Sequence, residues 1–370
     1  MYINFWYPIG SSEEVRADKP HRSQVLGLRF VAFRDSAGKP HVLRDVCVHR
    51  GGSLGKGWVK ENAVVCPYHG WRFGGDGKCT HIPTLPDDKP PARAKVDAYP
   101  TEERYGIVFA FLGDLPEAER PPLLDIPEWD APGWRANKLT VFEVGAYYER
   151  SMENGLDPSH NEFVHPAQGS PNMDPNLRRK PLDIEDIPWG SKFLVNFENK
   201  ITGTEALGDA STLVPEVKAG SGHVGPNTMI TWIQFSETNK FSQYFFEAPV
   251  DETRTRIYFV NMRAFLLDPE QDDRIAKVNM IVAKEDIEIL EELDPVRTPD
   301  STTKEVLVPS DGAVLRYREW LKDWDAKGWR IDAKKLREMR GDVACSIPCP
   351  ERRNSGNWVL DPIPLIPARH

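Results

Sequence analysis

Short apolar runs of strand length, separated by turn-forming residues, fill the first 113 residues of the chain. The clearest of these runs are Phe5–Ile9, Val25–Phe33, His41–Val46 and Ile107–Phe111. The segment from Asp35 to Gly38 has the composition of a turn and joins two of the runs as a hairpin. The pattern predicts a small all-β module that ends near Gly113.

The remainder of the chain predicts more strands and one long helix. A segment rich in proline and acidic residues, Leu115–Gly133, favours a domain boundary. Four later runs have strand character, namely Lys192–Thr202, Asn227–Phe235, Phe241–Pro249 and Arg254–Ala264. Two stretches rich in glycine and proline, Gln168–Asp183 and Ala206–Pro226, are predicted as long loops. The expected fold class is α+β, with one domain at residues 1–115 and a second at residues 116–370.

The segment Pro269–Leu293 has the clearest helical periodicity in the chain. Its apolar residues recur every three, four or seven positions and predict one buried face, made of Ile275, Val278, Val282, Ile289 and Leu293. Asp286 falls on that face, where a carboxylate is costly unless it is paired or binds a metal. Glu285 and Glu288 fall on the charged side, where solvation explains them. Asp286 is therefore a candidate metal ligand, with a salt bridge at the helix edge as the alternative.

Composition narrows the class of protein. The net charge of -9 over 370 residues includes no basic block, which argues against nucleic-acid binding. No apolar run is long enough to span a bilayer, and no secretory signal is visible at the N-terminus. Five cysteines fit a reduced, cytoplasmic protein better than a disulfide scaffold. Cys79, Cys345 and Cys349 are interpreted as ordinary thiols.

The strongest local pattern is Cys47-x-His49 followed by Cys66-x-x-His69. Each short segment supplies one cysteine and one histidine, and glycines adjoin both. Finger-type zinc sites usually pair cysteine with cysteine and histidine with histidine. The spacing therefore favours a [2Fe–2S] cluster with two histidines on one iron, and leaves zinc as the alternative.

A second group of polar residues lies in the stretch 151–166. Its candidate functional residues are Asn154, Asp157, His160 and His165. On a helix the first three follow at intervals of three and share a face, whereas His165 lies off that stripe. The two histidines can converge if the helix ends or distorts near residue 166. Together with Asp286 they would form the set of two histidines and one carboxylate that holds non-haem iron.

These two motifs, in this order, resemble the oxygenase α-subunits of the Rieske non-haem iron oxygenases. The resemblance covers nearly the whole chain and looks most like the single-subunit branch of vanillate and dicamba O-demethylases and ketosteroid hydroxylases. It implies an N-terminal Rieske domain and a C-terminal helix-grip catalytic domain, in which an antiparallel sheet wraps around a long helix. The implied ligands of the [2Fe–2S] cluster are Cys47, His49, Cys66 and His69. The implied ligands of Fe(II) are His160, His165 and Asp286.

The resemblance also implies a head-to-tail homotrimer. In such a trimer Asp157 would bridge His69 of one chain and His160 of the next, which orients both ligands and offers an electron path. Asn154 belongs to the same motif and is expected in the catalytic site. The implied activity uses O2 to hydroxylate or demethylate an apolar substrate that is cyclic or aromatic.

Electrons for this chemistry must come from another protein. No G-x-G-x-x-G segment follows a predicted strand, so no nicotinamide or flavin site of that type is encoded. A separate ferredoxin or flavin reductase is therefore implied. Three alternatives stay open, namely ring cis-dihydroxylation, a Rieske electron carrier without oxygenase activity, and a zinc-stabilised binding module with a lipid-type cavity. An electron carrier has no need of a second metal site. The histidine pair and Asp286 therefore distinguish an oxygenase from a carrier.

Overall fold

The computed structural model describes residues 1–85, 87, 89–165, 181–198 and 216–368, which form two compact units. The first unit comprises Met1–Leu123, Ala248–Asp251 and Asp323–His370. The second comprises Leu124–Glu247 and Glu252–Lys322.

Short antiparallel strands make up most of the first unit. They are β1 (Phe5–Ser11), β2 (His21–Val25), β3 (Leu28–Arg34), β4 (Pro40–Arg44), β5 (Trp58–Lys60), β6 (Ala63–Val65), β7 (Arg72–Gly74), β8 (Cys79–His81), β9 (Ala98–Tyr99), β10 (Thr101–Arg104) and β11 (Ile107–Leu112). They form three sheets, with strand orders β1-β11-β10, β2-β3-β4-β9 and β5-β6-β7-β8. The predicted all-β character of the N-terminal domain is confirmed.

The predicted hairpin turn joins β3 to β4. One carboxylate oxygen of Asp35 accepts the backbone N–H groups of Ala37 and Lys39, at 3.0 and 2.9 Å. Gly38 closes the turn with a φ of 80°, a conformation that side chains disfavour. The second and third sheets share one apolar cluster, which includes Val31 and the two cysteines of the Cys/His motif.

The C-terminal segment folds as part of the first unit. Its elements are α5 (Ala333–Glu338), β21 (Cys345–Ser346), α6 (Glu351–Asn354) and β22 (Asp361–Pro362). Arg352 makes two bonds to the fully buried carboxylate of Asp97, at 2.6 and 2.8 Å. Arg44 donates to the carbonyl of Cys345 at 2.8 Å. The compact units thus differ from the sequence-based division, which kept residues 116–370 together; the proposed boundary near residue 115 stays a prediction.

In the described part of the second unit, an antiparallel sheet of nine strands packs with long helices. Its elements are β12 (Arg135–Ala136), β13 (Thr140–Val144), α1 (Tyr148–Leu156), α2 (Asn161–Val164), β14 (Ile184–Ile187), β15 (Gly190–Phe193), β16 (Val195–Glu198), β17 (Glu216–Val224), β18 (Thr228–Gln234), β19 (Lys240–Pro249), β20 (Thr255–Arg263), α3 (Asp272–Leu290) and α4 (Gly312–Ala326). The main strand order is β12-β20-β19-β18-β17-β15-β14, with β13 paired to β20 and β16 to β17. The predicted α+β class is confirmed.

Helices α1 and α3 lie on the same face of this sheet. Gly155 of α1 sits so close to Met229 of β18 that a side chain at Gly155 would collide with it. Phe245 of β19 packs in the same cluster as Ile287 and Leu290 of α3. The sheet therefore presents one face to the helices that carry the polar motifs.

Three predictions for this region need correction. The stretch Ala206–Pro226 is not a loop throughout, because β17 occupies Glu216–Val224; residues 206–215 and most of Gln168–Asp183 lie outside the described residues. The break that was expected near residue 166 comes earlier, because α1 ends at Leu156 and α2 begins at Asn161. Ile289 is 48% exposed and does not belong to the buried face of α3, on which Leu290 is buried instead.

In the part of the chain that the structure describes, no helix has the length and apolarity that crossing a membrane requires.

We predict that Arg352→Ala lowers the free energy of unfolding by about 3 kcal/mol, because it leaves the Asp97 carboxylate buried without its cation. Arg353→Ala is the matched control. Arg353 pairs with Asp114 at 3.1 Å but its side chain is 47% exposed, so its loss should cost about 1 kcal/mol or less. Urea unfolding of the two variants compares them directly. Equal losses would show that the Asp97–Arg352 pair does not hold the C-terminal segment in place.

Candidate metal centres

The first candidate site is formed by two turns of the same geometry. In one turn the N–H of Gly51 donates to the carbonyl of Cys47 at 2.9 Å, and the N–H of Cys47 donates to the carbonyl of Gly52 at 2.7 Å. In the other turn the N–H of Gly70 donates to the carbonyl of Cys66, again at 2.9 Å. Gly51 and Gly70 have φ values of 74° and 72°, which explains the glycines in the motif.

The four side chains of this site divide into a buried pair and an exposed pair. Cys47 and Cys66 are 2% and 1% exposed, whereas His49 and His69 are exposed residues. The two imidazole rings lie 4.5 Å apart between centroids, at 68° to each other. Trp71 stacks on His49 with centroids 4.5 Å apart and planes within 4°. Trp71 thus holds one face of an otherwise exposed ring.

The two sulfur atoms contact each other. A hydrogen bond between them raises the pKa of Cys47 and lowers the pKa of Cys66 to about 6. A Cβ atom on Gly52 would lie 2.9 Å from the sulfur of Cys66, closer than real Cβ atoms come. This glycine therefore keeps free the space around a thiolate, which is the form that binds iron.

The arrangement of donors fits a two-iron cluster better than a single zinc ion. Around tetrahedral zinc, nitrogen and sulfur ligands lie about 3.3–3.8 Å from one another, given the usual bond lengths. Among the described residues, the two cysteines and two histidines do not form a group of three donors that lie within 4.8 Å of one another. They form two separate pairs instead, as a [2Fe–2S] cluster with both histidines on one iron requires.

The second candidate site lies in the second unit, where the chain leaves α1. The break between α1 and α2 turns His160 and His165 toward each other, with their Nε2 atoms 3.2 Å apart. Oδ1 of Asp286 lies 3.2 Å from Nε2 of His165 and 3.5 Å from Nε2 of His160. The donor atoms of the three residues all lie within 4.8 Å of one another, as a metal ion requires.

Each of the three donor residues makes a further hydrogen bond that fixes its orientation. Nδ1 of His165 bonds to Oε2 of Glu285 at 2.9 Å, and Nδ1 of His160 to the backbone carbonyl of Asp157 at 2.5 Å. Both rings are thereby fixed with Nε2 facing Asp286. Nδ2 of Asn154 donates to Oδ1 of Asp286 at 2.9 Å. Such supporting contacts orient metal ligands and set their basicity.

The ionisation of the side chains at this site also bears on metal binding. Burial raises the pKa of Asp286, but hydrogen bonds from His160 and His165 outweigh burial and hold that pKa well below its usual range. Burial lowers the pKa of His165, but its bonds to Asp286 and Glu285 more than reverse this and raise the pKa. The lowered pKa keeps Asp286 ionised, and an ionised carboxylate beside two histidines is a donor set that iron accepts once any proton on His165 has left.

Comparison with known proteins matches two segments of the chain to family models. Residues 5–100 match the family model of the Rieske [2Fe-2S] domain, and residues 144–327 match that of the vanillate O-demethylase oxygenase C-terminal domain. The oxygenase component of 3-ketosteroid-9-alpha-monooxygenase from Mycolicibacterium smegmatis is 28% identical, over 94% of this chain and 89% of the relative.

The chain belongs to the Rieske non-haem iron oxygenases.

Two further likenesses agree with this assignment. The 4beta-methylsterol monooxygenase of Methylococcus capsulatus is 28% identical to this Rieske oxygenase, over 73% of this chain and 69% of the relative. The solved structure of NdmA from Pseudomonas putida CBB5 with caffeine is 24% identical and matches with a TM-score of 0.72, over 88% of this chain and 91% of its own. At that identity the structural likeness shows the fold. The cofactors of this Rieske oxygenase are a [2Fe–2S] cluster and a mononuclear iron.

The structure brings the residues predicted from sequence together within each site, with one difference. The carboxylate of Asp157 accepts the backbone N–H of Ser159 at 2.7 Å, and its carbonyl rather than its carboxylate contacts His160. The bridge to a second chain stays a prediction. Two residues were missed. Glu285, assigned to the solvated side of its helix, bonds to His165, and Trp71 was not recognised as the support of His49.

We predict that Glu285→Ala lowers the affinity of the protein for Fe(II) between about tenfold and a hundredfold, because His165 loses the group that orients its ring. The measurement is titration of the iron-free mononuclear site, with Co(II) as a spectroscopic substitute. Glu288→Ala, an exposed residue one turn away on α3, is the control and should bind as the unmodified protein does. Equal affinities in the two variants would rule out this role for Glu285.

Proposed function

We propose that this Rieske oxygenase is the terminal component of an electron-transfer system and uses O2 to hydroxylate or demethylate an apolar, cyclic substrate. The proposed ligands of the [2Fe–2S] cluster are Cys47, His49, Cys66 and His69. The proposed ligands of the mononuclear iron are His160, His165 and Asp286.

The convergence of His160, His165 and Asp286 carries this proposal. Three donors occupy only part of the coordination sphere of iron, which leaves positions for O2 beside the substrate. When both cofactors are bound, the mononuclear iron supplies the site of O2 activation and the cluster supplies an electron. An electron carrier without oxygenase activity has no use for such a triad, so the triad favours the oxygenase.

The surrounding residues have positioning roles. Asn154 fixes Oδ1 of Asp286 through the bond at 2.9 Å. Glu285 and the carbonyl of Asp157 fix the rings of His165 and His160. These contacts keep the donors in one geometry while substrate and O2 enter and leave.

Electrons are proposed to come from a separate ferredoxin or flavin reductase. Relatives described as oxygenase components support a system of more than one protein. The exposed edge of the cluster turns is the proposed docking point, because His49, His69 and Tyr68 are all exposed there. Arg50 lies over the Tyr68 ring, 5.9 Å from its centroid, and adds a positive charge to that edge.

A homotrimer in the cytoplasm is proposed as the working form. The half-buried carboxylate of Asp157 bonds to Ser159 through Oδ1, and Oδ2 has no bond among the described residues. Oδ2 is therefore available to His69 of a neighbouring chain. All five cysteines are free, as expected in a reducing compartment.

The test is turnover by anaerobically reduced protein supplied with labelled O2 and a panel of aromatic, steroid and O-methyl compounds. We predict a product that carries one labelled oxygen or has lost a methyl group, read by mass spectrometry. His160→Ala should abolish the product and keep the visible spectrum of the cluster. His41→Ala alters a histidine outside both sites, so this variant should still form the product and keep the visible spectrum of the cluster. Two labelled oxygens in the product would assign ring dihydroxylation instead, and full activity of His160→Ala would refute the iron site.

A further inference from the structure

Glu247 carries a fully buried carboxyl group that has no part in the two candidate metal sites. It follows Phe245 by two residues on β19, and because side chains alternate along a strand, it points to the same face of the sheet, toward the helices. Oγ of Ser151 on α1 donates to Oε1 of Glu247 at 2.7 Å. In the described part of the chain, Oε2 has no hydrogen-bond partner. The buried carboxyl group therefore has one neutral hydrogen bond.

Other carboxylates inside the second unit have stronger partners. Glu153 receives two bonds from Arg318, at 2.6 and 2.9 Å. An ionised Glu247 would lie in an apolar environment without a cation, which is costly. Burial raises the pKa of Glu247 to about 8, and the bond from Ser151 opposes this rise only in part. At neutral pH the side chain is therefore an uncharged carboxylic acid.

The elements packed around Glu247 present neutral groups to it. The charged residues of α1 contact other partners, namely Glu149 with two tyrosine hydroxyls, Arg150 with Glu305, and Glu153 with Arg318. Asn227, just before β18, exchanges backbone bonds with Glu247 and is neutral. On β20, Ile257 and Phe259 belong to the same apolar cluster as Phe245. Only burial and the Ser151 bond shift the pKa of Glu247, so charge on a neighbour does not set its protonation.

Ser151 connects Glu247 to the helix that ends at the candidate iron site. One turn after Ser151, Nδ2 of Asn154 donates to the carboxylate of the triad at 2.9 Å. Asp157 follows the last residue of α1, and its carbonyl contacts Nδ1 of His160. The end of α1 thus bonds to two of the three proposed iron ligands. Any change in how α1 rests on the sheet therefore acts on the geometry of the triad.

We propose that Glu247 is a positioning residue for the mononuclear iron: as an uncharged acid it holds α1 on the sheet through Ser151, and so keeps Asn154 and Asp157 in contact with the iron ligands. When Glu247 loses its proton, the buried carboxylate gains more from water than from one hydroxyl group. Ionisation therefore favours a state in which α1 moves off β19 and water enters, and the triad binds metal less tightly. This inference rests on the proposed function, because it takes the triad as the iron site.

The first measurement tests the proton itself, with Glu247→Gln as the variant. The amide has the shape of the acid, keeps an acceptor for Ser151 and does not ionise. In the unfolded chain a glutamate titrates near pH 4.3, well below the folded value of about 8. The unfolded state therefore binds fewer protons in this window, and the stability of the unmodified protein should fall relative to the variant as the pH rises from about 5 to about 8. Urea unfolding at several pH values measures this difference.

The second measurement tests the positioning role. Protein that carries its cluster but has an empty mononuclear site is titrated with Co(II), against a competing chelator, from about pH 7 to about pH 9. Unmodified protein and Glu247→Gln should bind equally at pH 7. At pH 9 the unmodified protein should bind about tenfold more weakly than the variant, because each metal bound must first restore one proton. The ratio of the two affinities cancels the titration of the histidines, which both proteins share.

Two further variants support this comparison. Ser151→Ala removes the only hydrogen bond to the carboxyl group and should weaken Co(II) binding about fivefold at pH 7, as expected for one neutral hydrogen bond. Glu143→Gln is the control, because Glu143 on β13 is 41% exposed and bonds to Arg256. Its Co(II) affinity should follow that of the unmodified protein at every pH.

Three outcomes would overturn the role of Glu247. They are a ratio of Co(II) affinities that stays constant from pH 7 to pH 9, weaker binding by Glu247→Gln at pH 7, and a stability difference that does not change with pH. If neither protein binds Co(II), the metal site is refuted and the positioning role with it. Absence of labelled product together with the expected Co(II) profile would refute the proposed reaction and leave the role of Glu247 standing.

Discussion

One carboxylate oxygen joins the segments from which the catalytic site is built. Oδ1 of Asp286 accepts a bond from Asn154 on α1 and lies within 3.5 Å of the Nε2 atoms of His160 and His165. A carboxylate at this depth is stable only because these partners surround it. Asp286 lies in the C-terminal third of α3 and contacts the residues that end α1 and flank α2, while Ile275 and Leu290 pack the two ends of α3 against the sheet.

Both candidate metal sites place their proposed histidine ligands where a helix or strand ends. His49 and His69 lie in tight turns closed by glycines with positive φ, and His160 and His165 flank the short helix α2. His160 and His165 are five residues apart and would not share a face of a continuous helix, so the break between α1 and α2 is what lets their side chains meet. Rigid supports hold these irregular segments, namely Trp71 for His49 and Glu285 for His165.

Much of this arrangement follows from sequence patterns, and the failures have physical causes. Strands β18, β19 and β20 and helix α3 were predicted because their periodicity is clear. Strand β17 was predicted as a loop because it contains two glycines, Gly220 and Gly222. The end of the helix in the stretch 151–166 was expected near residue 166, because spacing alone does not show where a helix stops. Asp157 precedes Pro158 and is extended, and its local bonds to Ser159 and His160 form the turn that ends α1. The role of Glu285 was missed because periodicity cannot reveal a partner 120 positions away in the sequence.

The most direct test of the central claim is anomalous diffraction at the iron edge from crystals grown without oxygen. Our account predicts three iron atoms per chain: one bound by Cys47 and Cys66, one by His49 and His69, and one by the triad that includes Asp286. A single metal atom shared by the two cysteines and two histidines would contradict the cluster assignment. The absence of iron from the triad in fully loaded, active protein would contradict the oxygenase mechanism.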